Sequence, residues 1–172
     1  MKFKITSSLL ILLAFSVASY AQKNDVDEAK KTIAEFKEKD PGMSQFFSSA
    51  HGYAVFPGVG KGGLGVGGAA GKGTLFQGGT AVADTKLSQL TIGFQAGGQK
   101  YAEVIFFQDA EKYKDFISGN FEFAAQVSAV ALTSGVSADA KYENGILVVT
   151  MAIGGLMYEA SIGGQKFKVE QY

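Results

Sequence analysis

Residues 51–76 read HGYAVFPGVGKGGLGVGGAAGKGTLF, and this stretch decides the fold of the chain. Nine of the 23 glycines lie between Gly58 and Gly73. Glycine has no side chain to bury and weakens the interior of a strand, so a run this dense indicates close backbone approach, tight turns or sharp coiling of a sheet. We therefore expect either that this backbone is itself a contact surface or that another element packs directly against it.

The glycine spacing also matches the G-x-G-x-x-G fingerprint of a dinucleotide-binding loop in two places. That fingerprint requires a helix directly after the glycines. The residues that follow, Ala-Gly-Lys-Gly-Thr, are too rich in glycine to open a helix. Lys61 and Lys72 are each followed by glycine, so the phosphate-binding P-loop pattern fails as well. A tightly packed glycine-rich sheet segment is therefore the favoured interpretation.

The first 21 residues have the pattern of a secretory signal peptide. Lys2 and Lys4 supply the positive start, residues 5–18 the apolar run, and a Ser-Tyr-Ala sequence ending at Ala21 the cleavage site. The apolar run is shorter than the roughly 18 residues that a spanning helix needs, although an uncleaved N-terminal anchor is the alternative. We expect cleavage near Ala21, export to the periplasm or the medium, and a single domain over residues 22–172.

The charged residues argue against nucleic acid as a partner. The 16 basic residues are all lysine and balance 16 acidic residues, and loss of Lys2 and Lys4 with the leader leaves a net charge of −2. Nucleic-acid-binding proteins normally have a basic surplus and use arginine for bidentate contacts. The chain also lacks cysteine, so its stability has to come from burial rather than from disulfides.

Three helices are predicted. Apolar residues at helical spacing, followed by Pro41-Gly42, predict the first over residues 25–39. A second, shorter helix is predicted over residues 43–50. Asp109 can cap a third that runs to Ser118.

Most of the remaining chain predicts strands. The segments with strand-like patterns are 51–56, 89–96, 99–107, 121–131, 138–143, 146–151 and a last one ending near Glu170. In the second of these, Leu90 and Ile92 are expected to face the core. Asn144-Gly145 is the strongest hairpin signal in the chain. The elements together predict an α+β fold, with N-terminal helices packed on a glycine-rich, mostly antiparallel coiled sheet or partial β-barrel.

The sequence offers little for catalysis or metal binding. His51 is the only histidine, and neither a zinc site nor a Ser-His-Asp triad can be assembled around it. Glu103 and Glu122 lie in predicted strands and are the acids expected to be partly buried, but neither has an identifiable partner. We therefore expect no enzyme activity, no catalytic residues, no metal and no cofactor. A small hydrolase that depends on His51 is the least favoured alternative.

Several short motifs, in order along the chain, resemble one known family. They are Gly52-Tyr-Ala-Val-Phe-Pro57, Lys61-Gly-Gly63, Gly65-Val-Gly-Gly-Ala69, Ile92-Gly-Phe-Gln-Ala-Gly-Gly-Gln99, Gly119-Asn-Phe-Glu-Phe123 and Gly163-Gly-Gln-Lys-Phe167. Together they are similar to the SYLF domain, the Ysc84-like family of lipid-binding domains, over about residues 26–170. The resemblance implies an exported bacterial member that binds phospholipid membranes. Family members bind anionic lipids, so phosphatidylglycerol, cardiolipin or lipid A are the implied lipids outside a bacterial cytoplasm.

The expected mechanism is attraction of anionic headgroups by lysines around the glycine-rich segment. The candidate lipid-binding residues are Lys61 and Lys72 on that segment, Lys30 and Lys31 on the first helix, and the apolar Leu64 and Phe76 as shallow inserting side chains. Each lysine near an anionic surface contributes about 1 kcal/mol. The alternative is a periplasmic protein–protein interaction module whose exposed sheet edge pairs with a partner strand.

Overall fold

The computed structural model describes residues 25–93, 98–119, 121–124, 128–154 and 160–172, without the side chains of residues 64–65, 91–93, 128 and 160–161. Within these ranges the chain forms three helices and a seven-stranded, mostly antiparallel sheet that is not closed. This architecture agrees with the predicted α+β class. The predicted signal peptide, residues 1–21, lies outside the described residues.

The helices are α1 (residues 25–39), α2 (Met43–Ser49) and α3 (Ala110–Ile117), with one 3₁₀ turn at Val136–Ala138. The strands are β1 (Gly52–Gln77), β2 (Thr80–Gly93), β3 (Gln99–Phe107), β4 (Ser128–Ala131), β5 (Ile146–Ala152), β6 (Ala160–Ser161) and β7 (Gln165–Gln171). Their order in the sheet is β6-β4-β5-β3-β1-β2-β7. Neighbouring strands are antiparallel except for the parallel pair β4 and β5.

β1 is the longest strand, and its two halves pair with different neighbours. The first half pairs with β3, from Gly52 opposite Phe107 to Lys61 opposite Gln99. The second half pairs with β2 through the rest of the strand. The register between β1 and β3 shifts at Pro57-Gly58. Proline has no backbone N–H to donate to the ladder, so it is tolerated at such an irregularity.

The two halves of β1 also lie against each other, because the strand folds back on itself in the glycine-rich stretch. A Cβ atom on Gly73 would lie 2.5 Å from the carbonyl oxygen of Val55, and one on Gly71 would lie 3.1 Å from that of Gly58. At the fold-back, a Cβ atom on Gly63 would overlap the Cα atom of Gly67. The close backbone approach expected from the sequence therefore occurs within the segment itself.

The sheet has an apolar cluster on each face. The cluster on the inner face contains Phe56, Leu75, Ile105, Phe107, Phe116 and Phe167, with α3 at one end. The cluster on the opposite face combines Tyr53, Val55, Phe106 and Val149 of the sheet with Ala29, Phe36, Met43, Phe46 and Phe47 of the N-terminal helices. The Phe47 ring of α2 lies 4.9 Å from that of Phe106 in β3, measured between centroids. Burial of these aromatic side chains stabilises both layers.

α3 follows its predicted signals closely. The Asp109 side chain accepts a hydrogen bond from the Lys112 backbone N–H at 2.9 Å, which satisfies one of the free donors at the helix start. Gly119, with φ of 74°, follows the helix end.

Two strand predictions require correction. The strand expected over 121–131 is reduced to β4 and an isolated bridge at Glu122, with residues 125–127 outside the description. The strand expected over 138–143 is a 3₁₀ turn and coil, with a single bridge at Glu143. The Asn144-Gly145 turn itself is present, with both residues at positive φ, and it starts β5. The predicted turn at Asn144-Gly145 is confirmed. The residues before it do not form a strand, because only Glu143 pairs with β5.

The predicted burial pattern of β2 is reversed at its far end. Leu90 is 74% exposed, whereas Gln89 is 6% exposed. Ala83 and Leu87 face the inner cluster, and the side-chain period of two places Gln89 on their face and Leu90 on the other. The prediction that Leu90 faces the core is therefore wrong; the side chain of Ile92 lies outside the description.

A buried carboxylate ties the connection between α1 and α2 to a loop 97 residues further on. Asp40 accepts hydrogen bonds from the Ser137 backbone N–H at 2.7 Å and from Ser137 Oγ at 2.9 Å. A third comes from the Gly42 N–H at 3.1 Å. These hydrogen bonds, chiefly the one from the Ser137 backbone, hold the pKa of Asp40 below its ordinary value against the opposing effect of burial.

The fold-back predicts a difference between two glycines of β1. Gly73→Ala is expected to lower the free energy of unfolding by about 1–3 kcal/mol, because the added methyl group meets the Val55 carbonyl and the Phe56 ring. Gly60→Ala is the matched control, since an added Cβ there has no atom within 4 Å. It should be neutral or slightly stabilising, by less than about 1 kcal/mol. Urea unfolding of both variants measures the contrast, and equal effects would contradict the close approach.

Candidate functional site

Lys61 lies on the inner face of the sheet. Its side chain is 9% exposed, and it shares a strand face with Val59 and Ala69 of the inner cluster. Removal from water lowers the pKa of Lys61, and the negative charge of Glu103 opposes this effect. The expectation that Lys61 presents its ammonium group to a membrane surface is therefore wrong for this structure.

Glu103 is a fully buried carboxyl at the centre of β3. Its neighbours in the ladders are Phe56 of β1 and Thr150 of β5. Oε2 accepts a hydrogen bond from Gln165 Nε2 at 3.0 Å, while Oε1 has no hydrogen-bond partner among the described residues. Burial raises the pKa of Glu103 to about 7, although the Gln165 hydrogen bond and the charge of Lys61 favour the ionised form.

Further polar side chains surround this carboxyl. We define the inner polar cluster as Lys61, Tyr101, Glu103, Thr150 and Gln165, all of which are buried. Gln165 links its members, since its Nε2 atom also lies 3.5 Å from the hydroxyl of Tyr101. The side-chain oxygens of Thr150 and Gln165 have no hydrogen-bond partner among the described residues. The inner face is therefore aromatic near α3 and polar around Glu103.

The outer face of β1, β2 and β7 carries a row of lysines. Lys72 of β1 is directly opposite Lys86 of β2, and Lys86 is directly opposite Lys168 of β7. All three side chains are exposed. Lys86 Nζ lies 3.0 Å from Glu170 Oε1, whereas Lys72 and Lys168 have no ion pair within 4.0 Å among the described residues. Like charges on directly opposed residues repel, so this row favours a bound anion.

Exposed apolar side chains continue this face toward the fold-back of β1. Leu90 is opposite Gly68, and Val66 is the next residue of β1 on the same face. Leu90 is 74% exposed and Val66 is 63% exposed. Lys166 lies between the lysine row and Leu90, opposite Ser88. We define the outer lysine surface as Lys72, Lys86, Lys166, Lys168, Val66 and Leu90.

The structure separates the residues that the sequence grouped together. Lys72 lies on the outer lysine surface, whereas Lys61 lies on the opposite face of the same strand. Lys30 and Lys31 are exposed on α1, with Lys31 Nζ 3.8 Å from Glu35 Oε1. Lys31 and Lys72 line one cleft of about 490 Å³ together with three acidic residues of α1. This cleft carries both signs of charge.

Of the two apolar candidates, the structure describes the side chain of Phe76 only. Phe76 is 1% exposed, and its ring stacks on that of Tyr53 with 5.2 Å between centroids. The expectation that Phe76 is exposed for insertion is wrong, because it faces the core shared with the N-terminal helices. The side chain of Leu64 lies outside the described residues.

Sequence reasoning missed most of the outer lysine surface. Lys166 and Lys168 flank Phe167 at the spacing of two that a half-buried strand requires, and this alternation was the available signal. Lys86 and Leu90 could be assigned to this surface only from the register between β1 and β2, which the sequence alone does not reveal. Glu103 was correctly expected to be buried, whereas Glu122 is exposed and lies 3.4 Å from Lys166.

The part of the chain that the structure describes contains no metal-binding cluster. No group of three or more histidine, cysteine, aspartate or glutamate side chains there could hold a metal ion. His51 Nε2 lies 3.2 Å from Gln77 Nε2, and its ring packs edge-on against Tyr113. Among the described helices, none combines the length and apolar character that a membrane crossing requires. The described residues present one exposed, lysine-rich face on β1, β2 and β7.

Part of the chain matches the model of a known family. Residues 88–172 match the Ysc84 family model, which is described as "Las17-binding protein actin regulator". This is the family that the motifs of the sequence predicted, and it is a binding-type domain family. The match runs from the end of β2 through β7, so the glycine-rich β1 lies before it.

One curated relative is beta cell expansion factor A of Aeromonas veronii, which contains the same domain family. It is 28% identical over 152 residues, covering 83% of this chain and 55% of the relative. The chain therefore spans little more than half of the relative's length.

The buried carboxyl predicts a pH dependence of stability. The pKa of Glu103 is raised in the folded protein, so its proton stabilises the fold below the ordinary glutamate pKa, and this contribution is lost as the pH rises through about 7. Acidification from about pH 8 to pH 5 should raise the free energy of unfolding by about 2 kcal/mol relative to Glu103→Gln. Urea unfolding at several pH values measures the difference. Parallel pH profiles for the two proteins would contradict the assignment.

Proposed function

We propose that this protein is an exported, non-enzymatic domain that binds anionic phospholipid membranes through the outer lysine surface. The observation that carries the proposal is the row of Lys72, Lys86 and Lys168 across three adjacent strands, with exposed Val66 and Leu90 beside it. Headgroup phosphates neutralise the row, and the apolar side chains enter the headgroup region. The export part of the proposal is supported by the signal-peptide pattern of residues 1–21.

The charge distribution explains how a chain without a basic surplus attracts anions. The whole sequence is electrically balanced, so the long-range attraction is weak. Attraction acts only within a Debye length, about 8–10 Å at moderate salt. Within that range Glu170, 3.0 Å from Lys86, and Glu122, 3.4 Å from Lys166, offset part of the lysine charge, and Lys72 and Lys168 supply the rest. Each ammonium group near an anionic surface contributes about 1 kcal/mol. Membrane binding through this face is therefore short-ranged and sensitive to salt.

The apolar part of the surface sits at a place suited to shallow insertion. Val66 lies close to the fold-back of β1, and Leu90 lies across the ladder from Gly68, which has no side chain. Both side chains extend from a hairpin-like part of the sheet rather than from a flat helix face. Insertion of two aliphatic side chains adds an attraction that salt does not screen.

The proposal also includes α1 as a neighbour of the binding face. Ala29 and Phe36 are fully buried in the apolar cluster that contains Val55 of the sheet, which supports packing of α1 on the sheet. Lys31 and Lys72 line the same cleft, so α1 adds charge beside the lysine row. The acidic residues of that cleft limit the contribution of α1, and the row across β1, β2 and β7 has the leading role.

Removing the row is expected to weaken vesicle binding strongly. The triple variant Lys72→Gln, Lys86→Gln, Lys168→Gln should lower the partition onto phosphatidylglycerol-containing vesicles by roughly 100-fold at low salt. The matched control is Lys39→Gln, Lys114→Gln, Lys141→Gln, which removes three exposed lysines outside the outer lysine surface. Flotation with anionic and neutral vesicles measures both variants. Equal losses would show that only net charge acts, and salt-insensitive binding by the wild type would favour a protein partner at a sheet edge instead.

Removing the apolar pair is expected to act differently. Val66→Ser with Leu90→Ser should lower the vesicle binding that remains at high salt by roughly tenfold, because salt does not screen apolar insertion. The free energy of unfolding should change by less than about 0.5 kcal/mol, since both side chains are exposed. Flotation at high salt, paired with urea unfolding, gives the measurement. Unchanged flotation would remove the two side chains from the contact.

A further inference from the structure

The outer face of β1, β2 and β7 changes in character from one end of the strands to the other. Opposed residues of these strands form four cross-strand rows on this face, each two residues from the next along a strand. From the fold-back of β1 onward, the rows are Gly68 and Leu90; Ala70, Ser88 and Lys166; Lys72, Lys86 and Lys168; and Thr74, Asp84 and Glu170. The first row is therefore apolar, the third cationic and the fourth acidic.

The first two rows carry little net charge. Leu90 is exposed in the first row, and Val66 is exposed one step further toward the fold-back on the same face. In the second row, Ala70 and Ser88 are small and exposed, and Lys166 Nζ lies 3.4 Å from Glu122 Oε2. The uncompensated positive charge of the surface therefore begins with the third row, about two steps along the strands from Leu90.

The fourth row places two carboxylates directly opposite each other. Asp84 of β2 is opposite Glu170 of β7 in the ladder. Asp84 Oδ1 accepts a hydrogen bond from the Tyr172 hydroxyl at 2.7 Å, and Glu170 Oε1 lies 3.0 Å from Lys86 Nζ. These contacts hold both negative charges beside the lysine row. If this face lay flat on an anionic membrane, the carboxylates would meet the phosphates together with the lysines, and like charges repel.

The spacing of the rows exceeds the thickness of a membrane interface. Two residues of a strand span about 7 Å, so the first and fourth rows are about 20 Å apart along the strands. The headgroup layer of one leaflet is about 5–8 Å thick. A steeply inclined sheet therefore has its apolar end in the interface, its lysines near the phosphates and its acids in water. With the strands parallel to the membrane, all four rows lie at one depth and this separation is lost.

We propose that the protein docks end-on to an anionic phospholipid membrane: the fold-back end of β1, with Val66 and Leu90, enters the interface, the strands rise steeply from it, and Asp84 and Glu170 stay in solution. This inference rests on the proposed function and adds the direction in which the domain stands. The lysine row attracts phosphates from the outer side of the headgroup layer, because its long side chains extend toward them and the distance stays near one Debye length.

An added negative charge at two places on β2 tests the orientation. Ser88→Glu adds a carboxylate in the second row, and Thr80→Glu adds the same charge at the far end of the strand; both positions are exposed. Ser88→Glu should lower the partition onto phosphatidylglycerol-containing vesicles about fivefold at low salt, whereas Thr80→Glu should lower it less than twofold. Equal losses for the two variants overturn the end-on orientation.

The lack of cysteine in the chain allows a direct measurement of depth. Four single-cysteine variants, Leu90→Cys, Ser88→Cys, Lys86→Cys and Asp84→Cys, each carry one nitroxide label along the outer side of β2. Electron paramagnetic resonance on phosphatidylglycerol-containing vesicles then measures access of a water-soluble nickel chelate to each label. Vesicles should reduce this access several-fold at Leu90, progressively less at Ser88 and Lys86, and not at Asp84.

Flotation of the same labelled proteins separates the orientation from the proposed function. Bound protein with protection that falls from Leu90 to Asp84 supports the end-on orientation. Bound protein whose four labels are protected equally, or in the reverse order, overturns the orientation and leaves the membrane function intact. A wild type that does not float with anionic vesicles at low salt overturns the membrane function and the orientation with it.

Discussion

The fold depends on contact between two stretches of bare backbone within one strand. β1 folds back on itself, and at Gly71 and Gly73 any side chain would meet the carbonyl groups of the first half. This close approach lets one segment pair with β3 on one side and β2 on the other. Without it, the halves of the sheet would separate, because β3 and β2 are connected through β1 alone in the strand order. At Gly63, Gly71 and Gly73, glycine is therefore a requirement of packing.

The same strands serve two chemically different faces. Odd-numbered residues from Ala69 to Leu75 of β1 and from Ala83 to Leu87 of β2 face the inner cluster, whereas even-numbered residues such as Lys72 and Lys86 face outward. On β3 and β5 the outward side carries apolar residues that are buried in the second cluster. On β2 and β7 it stays open to solvent.

The sequence was sufficient for the helices, and insufficient for two of the strands and for the faces of the sheet. Capping and stop signals located α1, α2 and α3 to within a residue or two, because these depend on local hydrogen bonds. Lys61 and Phe76 were placed on the surface because nothing local shows which face of a glycine-rich strand is buried. The irregularity at Pro57-Gly58 and the register between strands decide that, and both are tertiary properties. Lys168 and Leu90 became part of the candidate site only when three strands were aligned.

The position of β1 in the chain has a consequence for the limits of the folding unit. The family match starts at residue 88, which is inside β2 and beyond the whole of β1. A polypeptide that started there would leave one edge of β3 without its hydrogen-bonding partner, and Ser137 without the carboxylate of Asp40. Such an edge is a template for self-association. The start of the family match at residue 88 is therefore not the start of a folding unit. We expect the smallest part of the chain that folds by itself to include the N-terminal helices and β1 as well.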